Sequence, residues 1–202
     1  MLNKYARAFV TRLFSPLAHF LIRMGVSPDV VTTVGTLGVC TGALVFYPHG
    51  HFLIGTLVIT AFVFSDTLDG IMARAQQRQG VWGAFLDSTL DRFADAAIFA
   101  GLGLYFAGRG DQLMTGLCLA CLTLGAIVSY ARARAEGLGL SGNVGIAERA
   151  ERLVAVLVTT GLVGLFHLPL IVLEVVLGLL ALASLITVVQ RMAHVYRQAH
   201  AG

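Results

Sequence analysis

Long apolar runs, separated by short polar or glycine-containing turns, make up most of the chain after its first 28 residues. A helix needs roughly 20 apolar residues to cross a bilayer, which is far longer than an ordinary strand. The pattern predicts six transmembrane helices, near 29–47, 52–76, 84–107, 112–134, 150–167 and 169–190. The breaks between them fall at Pro48-His49-Gly50, 76–80, Gly108-Arg109-Gly110-Asp111, the glycine-rich loop 137–145 and His167-Leu168-Pro169.

The N-terminal segment has a different pattern. Lys4, Arg7 and Arg12 lie on one side and interrupt any apolar core that a signal peptide would need. The other side is a membrane-facing stripe of apolar residues at helical spacing: Leu2, Tyr5, Phe9, Leu13, Leu17 and Phe20. This pattern is typical of an amphipathic helix that lies on the inner membrane surface. We therefore expect a juxtamembrane helix with its connector over 1–25 and a six-helix transmembrane domain over 26–202.

Composition agrees with an all-α integral membrane protein. The chain is 57% hydrophobic and 12% charged over 202 residues, and its mean hydropathy is +0.82, which is too apolar for one soluble domain of this size. Basic residues gather in alternate loops, as they do on the cytoplasmic side of membrane proteins. The predicted cytoplasmic set is Lys4, Arg7, Arg12, Arg23, Arg74, Arg78, Arg132, Arg134, Arg149, Arg152, Arg191 and Arg197, and only Arg109 lies in an opposite loop. We expect a multi-pass protein of the cell membrane with both termini in the cytoplasm and no nucleic-acid partner.

Four carboxylates interrupt the apolar pattern within the stretch DTLDGIMARAQQRQGVWGAFLDSTLD, residues 66–91. Asp66 and Asp69 are spaced i,i+3, and Asp87 and Asp91 are spaced i,i+4, so each pair shares one helix face. A short turn joins the two helices, and a rise of about 1.5 Å per residue puts both pairs near the cytoplasmic face. Acids in lipid need a cationic partner, and oxygen-only ligation suits two Mg²⁺ ions, or Mn²⁺.

Residues close to these acids are suited to a phosphorylated ligand. Gly70 and Gly83 lack side chains where a bulky group could approach the backbone, and Arg74, one turn beyond Gly70, could hold a phosphate. Further arginines are expected at cytoplasmic helix ends, where they could recognise an anionic phosphate: Arg132, Arg134, Arg149, Arg152 and Arg191. Positive-inside bias alone would also put arginines there.

The stretch over 66–91 has the form D-x-x-D-G-x-x-A-R-x8-G-x-x-x-D-x-x-x-D, which resembles the signature of the CDP-alcohol phosphatidyltransferase family at all eight fixed positions. The segment Pro28-Asp29-x-x-Thr32 is similar to that family's Pro-Asn-x-x-Thr, with Asp in place of Asn. The resemblance implies that an alcohol attacks the β-phosphorus of a CDP-linked donor and releases CMP, with two divalent metals bridging carboxylates and pyrophosphate. It extends to the whole chain through the six spans and the inward termini.

The resemblance also implies residue roles. Asp66, Asp69, Asp87 and Asp91 would ligate the metals, and Asp91 would also be the general base. The implied donor-binding residues are Asp29, Thr32, Asp66, Asp69, Gly70, Ala73, Arg74, Gly83 and Asp87. Because family members commonly form homodimers, a homodimer is expected.

The segment 129–153 resembles the phosphatidylinositol-phosphate synthase branch, which uses CDP-diacylglycerol (CDP-DAG) and inositol 1-phosphate. That likeness implies an acceptor-phosphate pocket made by Arg132, Arg134, Arg152 and Arg191. Arg149 is interpreted as structural instead, paired with Glu148 or a neighbouring acid, and Asp95 as a member of a polar network.

Two alternatives stay open. Glycerol 3-phosphate is a second possible acceptor, since an arginine cluster does not separate the two headgroups. An ion carrier or channel is the rival from another class, because intramembrane acids also mark transport pathways. Carrier sites lie near the midplane between inverted repeats, whereas these acids are expected near one face and their motif is not repeated. Cys118 and Cys121 have the spacing of a metal or redox pair, but without a second pair or a ligating histidine nearby they are interpreted as packing residues.

Overall fold

The computed structural model describes residues 14–76 and 80–200, except for the side chain of Asp66. Helical backbone occupies 14–23, and seven bounded helices follow within the described residues: α1 (Pro28–Phe46), α2 (Phe52–Val63), α3 (Ser65–Ala75), α4 (Val81–Ala107), α5 (Gln112–Gly137), α6 (Arg149–Phe166) and α7 (Ile171–Ala199). No strand occurs in these residues. The all-α prediction is confirmed, and the predicted turns separate the helices.

One predicted span is interrupted. The run over 52–76 is two helices, because the backbone leaves α-helical hydrogen bonding at Phe64. The Ser65 hydroxyl donates to the Phe62 carbonyl at 2.6 Å, and the Thr67 amide donates to the Phe64 carbonyl at 3.1 Å. Such local bonds from a serine side chain compete with the helical ladder. The helix that carries the first two acids of the motif therefore begins anew at Ser65.

The last helix is longer than predicted. The apolar run stops near residue 190, but α7 continues past Arg191 to Ala199. Residues 191–199 contain neither proline nor glycine, so nothing in the sequence ends the helix when the apolar pattern does. Arg191 consequently lies inside a helix and not at its end, which corrects the sequence-based placement.

Four helical segments of the described chain are long and apolar enough to cross a membrane: Pro28–Phe46, Phe52–Ala75, Gln112–Gly137 and Ile171–Ala199. Helices α4 and α6 each carry at least three charged residues. Large apolar side chains nonetheless remain exposed along α6, at Val154, Val158, Leu162 and Leu165. Apolar helices with uncovered apolar faces are expected of an integral membrane protein.

The chain divides into two compact units. The first comprises Met1–Gly42 with Leu57–Ala94, and the second Ala43–Thr56 with Asp95–Gly202. In the first unit Ala18 is fully buried in an apolar cluster with Ile71 and Met72 of α3. Leu17 and Phe20, two residues of the predicted membrane-facing stripe, are exposed. The rest of that stripe, in residues 1–13, lies outside the described residues.

Close helix contacts in the first unit depend on glycine. A Cβ at Gly38 would overlap the ring of Phe62, and a Cβ at Gly35 would overlap the Ser65 hydroxyl. Because of these contacts, α1 packs closely against α2 and α3. The first turns of α1 therefore lie beside α3, the helix that carries Asp66 and Asp69. The small residues of α1 thus serve packing within the chain.

The large buried side chains of the second unit are mainly apolar and come from α4, α5, α6 and α7. Those that are fully buried include Ile98, Leu102, Phe106, Met114, Val128, Val156, Leu173 and Leu177. Helix α7 packs along both α5 and α6. The loop between α5 and α6 therefore connects two helices that both pack against α7.

Candidate active site

The most enclosed acid of the motif is Asp69, on α3. Its side chain is buried, and its Oδ2 accepts a hydrogen bond of 2.5 Å from the hydroxyl of Thr32 on α1. The same hydroxyl lies 3.1 Å from the Pro28 carbonyl oxygen, but it has one proton, and the shorter contact to the carboxylate takes it. The structure thus joins the Pro-Asp-x-x-Thr segment to the acidic motif through one direct bond.

Asp29, the other polar residue of that segment, is also held across two helices. Its Oδ2 accepts a hydrogen bond of 3.1 Å from the indole Nε1 of Trp82, in the first turn of α4. A carboxylate has no proton to donate at neutral pH, so the indole satisfies one acceptor atom and leaves the other oxygen for a ligand. Asp29 is therefore oriented by a residue that the motif does not include.

Space next to the motif's glycines agrees with their predicted role. A Cβ added at Gly83 would meet no atom of the described residues within 4 Å, and one at Gly70 would meet only the Arg74 guanidinium, at 3.7 Å. Arg74 is exposed and Ala73 is half-buried on the same helix. The guanidinium therefore borders the open side of Gly70, as a phosphate-binding residue there requires.

The other two acids of the motif whose side chains are described, Asp87 and Asp91, lie on α4. Asp87 is exposed and Asp91 is half-buried; both are near enough to Asp69 to act on it electrostatically. Asp91 Oδ2 is 3.6 Å from the Nη2 of Arg92. The side chain of Asp66 lies outside the described residues, and among those that are described no three acidic, histidine or cysteine side chains converge as a metal site would require.

The second unit contains the four arginines predicted to bind the acceptor phosphate. We call Arg132, Arg134, Arg152 and Arg191 the arginine cluster. Arg152 is 2% exposed; its Nη1 donates to the Ala147 carbonyl at 3.0 Å and its Nη2 to the Gly125 carbonyl at 3.5 Å. Arg191 is 3% exposed. Its Nε donates to the Val144 carbonyl at 2.8 Å, and its Nη1 donates to the Val128 carbonyl.

The other two members of the cluster are exposed. Arg132 Nε donates to Glu136 Oε1 one turn along α5, at 2.8 Å. Arg134 lies in the last turn of α5, and no hydrogen bond or ion pair of its side chain is found among the described residues. The cluster thus combines two guanidinium groups fixed by backbone carbonyls with two that face outward.

The interpretation of Arg149 and Asp95 is confirmed. Arg149 Nε donates to Asp95 Oδ1 at 3.0 Å, and Asp95 Oδ2 lies 3.9 Å from Arg152 Nη2. The Asp95 carboxylate is largely buried between these two arginines, where an ion pair is screened little by solvent. Cys121 likewise behaves as a packing residue, with its thiol directed at the Leu177 carbonyl at 3.3 Å.

A family model described as CDP-alcohol phosphatidyltransferase matches residues 25–189. The chain belongs to the CDP-alcohol phosphatidyltransferase family. It is 55% identical to a phosphatidylinositol phosphate synthase of Streptomyces avermitilis, over 98% of this chain and 84% of that protein. A phosphatidylinositol phosphate synthase of Cutibacterium acnes is 49% identical, over 96% of this chain and 97% of its own.

Solved structures extend the likeness to the fold. The Mycobacterium tuberculosis phosphatidylinositol phosphate synthase with CDP-DAG bound superposes with a TM-score of 0.87 at 42% identity, covering 92% of this chain and 94% of that one. The same protein in complex with manganese and citrate gives a TM-score of 0.86 at 42% identity, covering 91% and 88%. This chain is accordingly a phosphatidyltransferase, and divalent metals are the cofactors of its family.

The donor set of this phosphatidyltransferase fits such a metal. All the acids of the motif offer carboxylate oxygens, which are the hard ligands that Mg²⁺ and Mn²⁺ prefer. Buried Asp69 accepts from the Thr32 hydroxyl with its Oδ2, and a carboxylate has further lone pairs with which to bind a cation. With Asp87 and Asp91 acting on the same carboxylate, the local negative charge would be balanced by a bound cation.

Sequence reasoning missed two residues that fix this phosphatidyltransferase's polar groups. Trp82 directly precedes the motif's Gly83 and is the only tryptophan of the chain, a signal that could have drawn attention to it. Gln198 lies beyond the predicted end of the last span, and it binds the loop between α5 and α6. The local sequence gives no sign of the contact between Gln198 and Ser141, because the two residues are 57 positions apart in the chain.

Proposed function

We propose that this phosphatidyltransferase moves the phosphatidyl group of CDP-DAG to inositol 1-phosphate, giving phosphatidylinositol phosphate and CMP. One observation carries the proposal, namely the match over 92% of the chain, at 42% identity, to a phosphatidylinositol phosphate synthase crystallised with CDP-DAG bound. The local geometry supports it, because the family's motif and its Pro-Asp-x-x-Thr segment meet at the Thr32–Asp69 bond.

In this proposal the donor binds along α3 and the starts of α1 and α4. Asp29, Thr32, Asp66, Asp69, Gly70, Ala73, Arg74, Gly83 and Asp87 form its site. The open space at Gly83 and the Arg74 guanidinium beside Gly70 support that assignment, since a pyrophosphate needs both close approach to the backbone and a cationic donor.

The chemical step is the displacement of CMP by an alcohol at the β-phosphorus of the donor. A hydroxyl oxygen of the inositol attacks the β-phosphorus of CDP-DAG, the bond from that phosphorus to the oxygen of the CMP phosphate breaks, and CMP leaves. Asp91 is the general base that takes the hydroxyl proton, a role that a carboxylate within hydrogen-bonding reach performs well. Its half-buried position on α4 supports the role.

Two divalent ions, Mg²⁺ or Mn²⁺, would be held by Asp66, Asp69, Asp87 and Asp91. When bound, they supply positive charge that offsets the charge developing on the transferring phosphoryl group. Thr32 contributes by holding one oxygen of Asp69, which fixes the direction in which the other oxygen points.

The arginine cluster is the proposed site for the phosphate of the acceptor. Guanidinium groups match phosphate with paired N–H donors, and those of Arg152 and Arg191 are already fixed by backbone carbonyls. The exposed Arg134 would complete the site with a group that no described residue engages. Glycerol 3-phosphate has the same phosphate chemistry, so it is the competing acceptor to test.

We also propose six transmembrane spans, with α4 and α6 as the two that carry charge, and an amphipathic helix over 1–25 before the catalytic domain over 26–202. The exposed apolar face of α6 supports its placement in lipid. Both termini and the site face the cytoplasm in this arrangement, because the basic residues gather there. A homodimer is the proposed assembly.

The deciding experiment uses purified protein in detergent with CDP-DAG and Mg²⁺. Inositol 1-phosphate, glycerol 3-phosphate, free inositol and serine are supplied separately, and CMP release and lipid product are measured. Turnover with inositol 1-phosphate alone is the expected result. Turnover with glycerol 3-phosphate instead would keep the family and replace the acceptor.

A further inference from the structure

We propose that Gln198 is a positioning residue for the acceptor site, and that it acts by fixing the loop between α5 and α6. The inference rests on the proposed function, because it assigns the arginine cluster to the acceptor phosphate. Gln198 lies in the part of α7 that the apolar pattern did not predict.

The contact is a two-bond clamp on the backbone of one loop residue. The Ser141 amide donates to Gln198 Oε1 at 2.9 Å, and Gln198 Nε2 donates to the Ser141 carbonyl at 2.7 Å. A primary amide is the side chain that can satisfy both a donor and an acceptor of one residue in this way. The pairing imitates a sheet ladder and leaves Ser141 little freedom of orientation.

Further hydrogen bonds connect this restrained loop to Arg191 and Arg152. The Val144 amide donates to the Gly142 carbonyl at 3.0 Å, so 142–144, directly after Ser141, form a tight turn. Val144 in turn supplies the carbonyl that receives Arg191 Nε. Three residues later, Ala147 supplies the carbonyl that receives Arg152 Nη1. A single loop therefore orients both buried members of the cluster.

The same face of α7 holds the loop at two further points. Thr187, Arg191 and Gln198 recur at helical spacing, and the Thr187 hydroxyl accepts from the amides of Ile146 and Ala147 at 3.2 and 3.0 Å. Gly145 has φ +141°, and a Cβ there would overlap Thr187. Gln198 secures the loop's first half and Thr187 its second half, with Arg191 between them.

Loss of the clamp has a specific consequence. The Val144 carbonyl would no longer be held in place, and Arg191 would regain side-chain freedom that the acceptor must then remove on binding. Ordering one such side chain weakens affinity by about three- to ten-fold. Because no hydrogen bond of the described residues joins a donor residue to this loop, the Michaelis constant for CDP-DAG should stay unchanged.

The test compares three variants of the full chain. Gln198→Ala removes both bonds, and Gln198→Glu keeps the size and the acceptor but turns a carboxylate oxygen toward the Ser141 carbonyl. Gln190→Ala is the matched control, since Gln190 is exposed on the same helix. Kinetic constants for inositol 1-phosphate and CDP-DAG are measured together with hydrogen exchange of the amides of 141–147.

Both Gln198 variants should raise the acceptor KM by about three- to ten-fold, leave the donor KM unchanged and speed amide exchange in 141–147 but not in α5. Gln190→Ala should behave as the unmodified protein. Equal rises in the two KM values, or unchanged exchange in the loop, would overturn the inference. If the unmodified protein fails to use inositol 1-phosphate, the proposed function fails, and the exchange data separately decide whether the clamp exists.

Discussion

The two units of this enzyme fix their polar residues in opposite ways. In the first unit the acids are held by single side-chain bonds, such as that of Thr32 to Asp69, next to glycines with open space beside them. In the second unit Arg152 and Arg191 are buried and bound to backbone carbonyls. The contrast agrees with the proposal that the acidic region receives cations and a bulky donor, whereas the two buried arginines of the basic region are already held in place.

Metal removal should produce the largest difference between the two regions. Chelation with EDTA is expected to abolish turnover, because the negative charges of the acidic motif and the donor pyrophosphate would then lack their counter-charge. Added Mg²⁺ or Mn²⁺ should restore CMP release. Binding of inorganic phosphate by the arginine cluster, measured by calorimetry, should survive chelation. If phosphate binding disappears as well, the regions are not independent.

Asp91→Asn should lower activity nearly as much as metal removal does. Loss of a general base lowers kcat by about 10²- to 10⁴-fold, while CDP binding should be retained better than in Asp69→Asn, which removes the most enclosed acid. Calorimetry with CDP and Mg²⁺ provides the binding measurement.

Asp111→Asn is a suitable control for this series. Asp111 caps α5 by accepting from the Met114 amide at 3.0 Å, and asparagine is an equally good cap. Its kcat should be unchanged. Equal loss of CDP binding in Asp91→Asn and Asp69→Asn would contradict separate roles for the two acids.

The nearness of Asp87 and Asp91 to Asp69 was predictable from sequence and the organisation of the basic region was not, for a physical reason. These three acids lie within 23 consecutive residues at helical spacing, so their mutual influence follows from helix geometry and one short turn. The contacts of Arg191 join residues 47 and 63 positions apart in the chain. Periodicity also predicted most helix bounds, but it missed the break at Phe64, where a serine hydroxyl competes with the helical ladder.

Arg134→Ala and Arg152→Ala should separate ligand binding from structural support within the arginine cluster. Each loses a charge-assisted hydrogen bond to phosphate, of about 1.5–3 kcal/mol, so the acceptor KM should rise roughly 10- to 100-fold. Only Arg152→Ala should also lower Tm, because Asp95 and the Ala147 carbonyl lose a buried partner. Kinetics and thermal unfolding of both variants test this distinction. Equal loss of Tm in Arg134→Ala would show that the exposed arginine is structural.

Trp82→Phe should have the smallest effect, and it tests whether the acidic region also contains preorganised groups. The substitution keeps an aromatic ring but removes the Nε1–H that bonds Asp29 at 3.1 Å. Although its acceptor is a carboxylate, this bond is exposed to solvent, so we expect it to contribute only about 0.5–1.5 kcal/mol and the KM for CDP-DAG to rise roughly two- to ten-fold, while the acceptor KM stays constant. Phe85→Leu, which alters the ring next to Trp82, controls for lost aromatic surface. If both variants change the donor KM alike, Trp82 acts through its aromatic surface and not through Asp29.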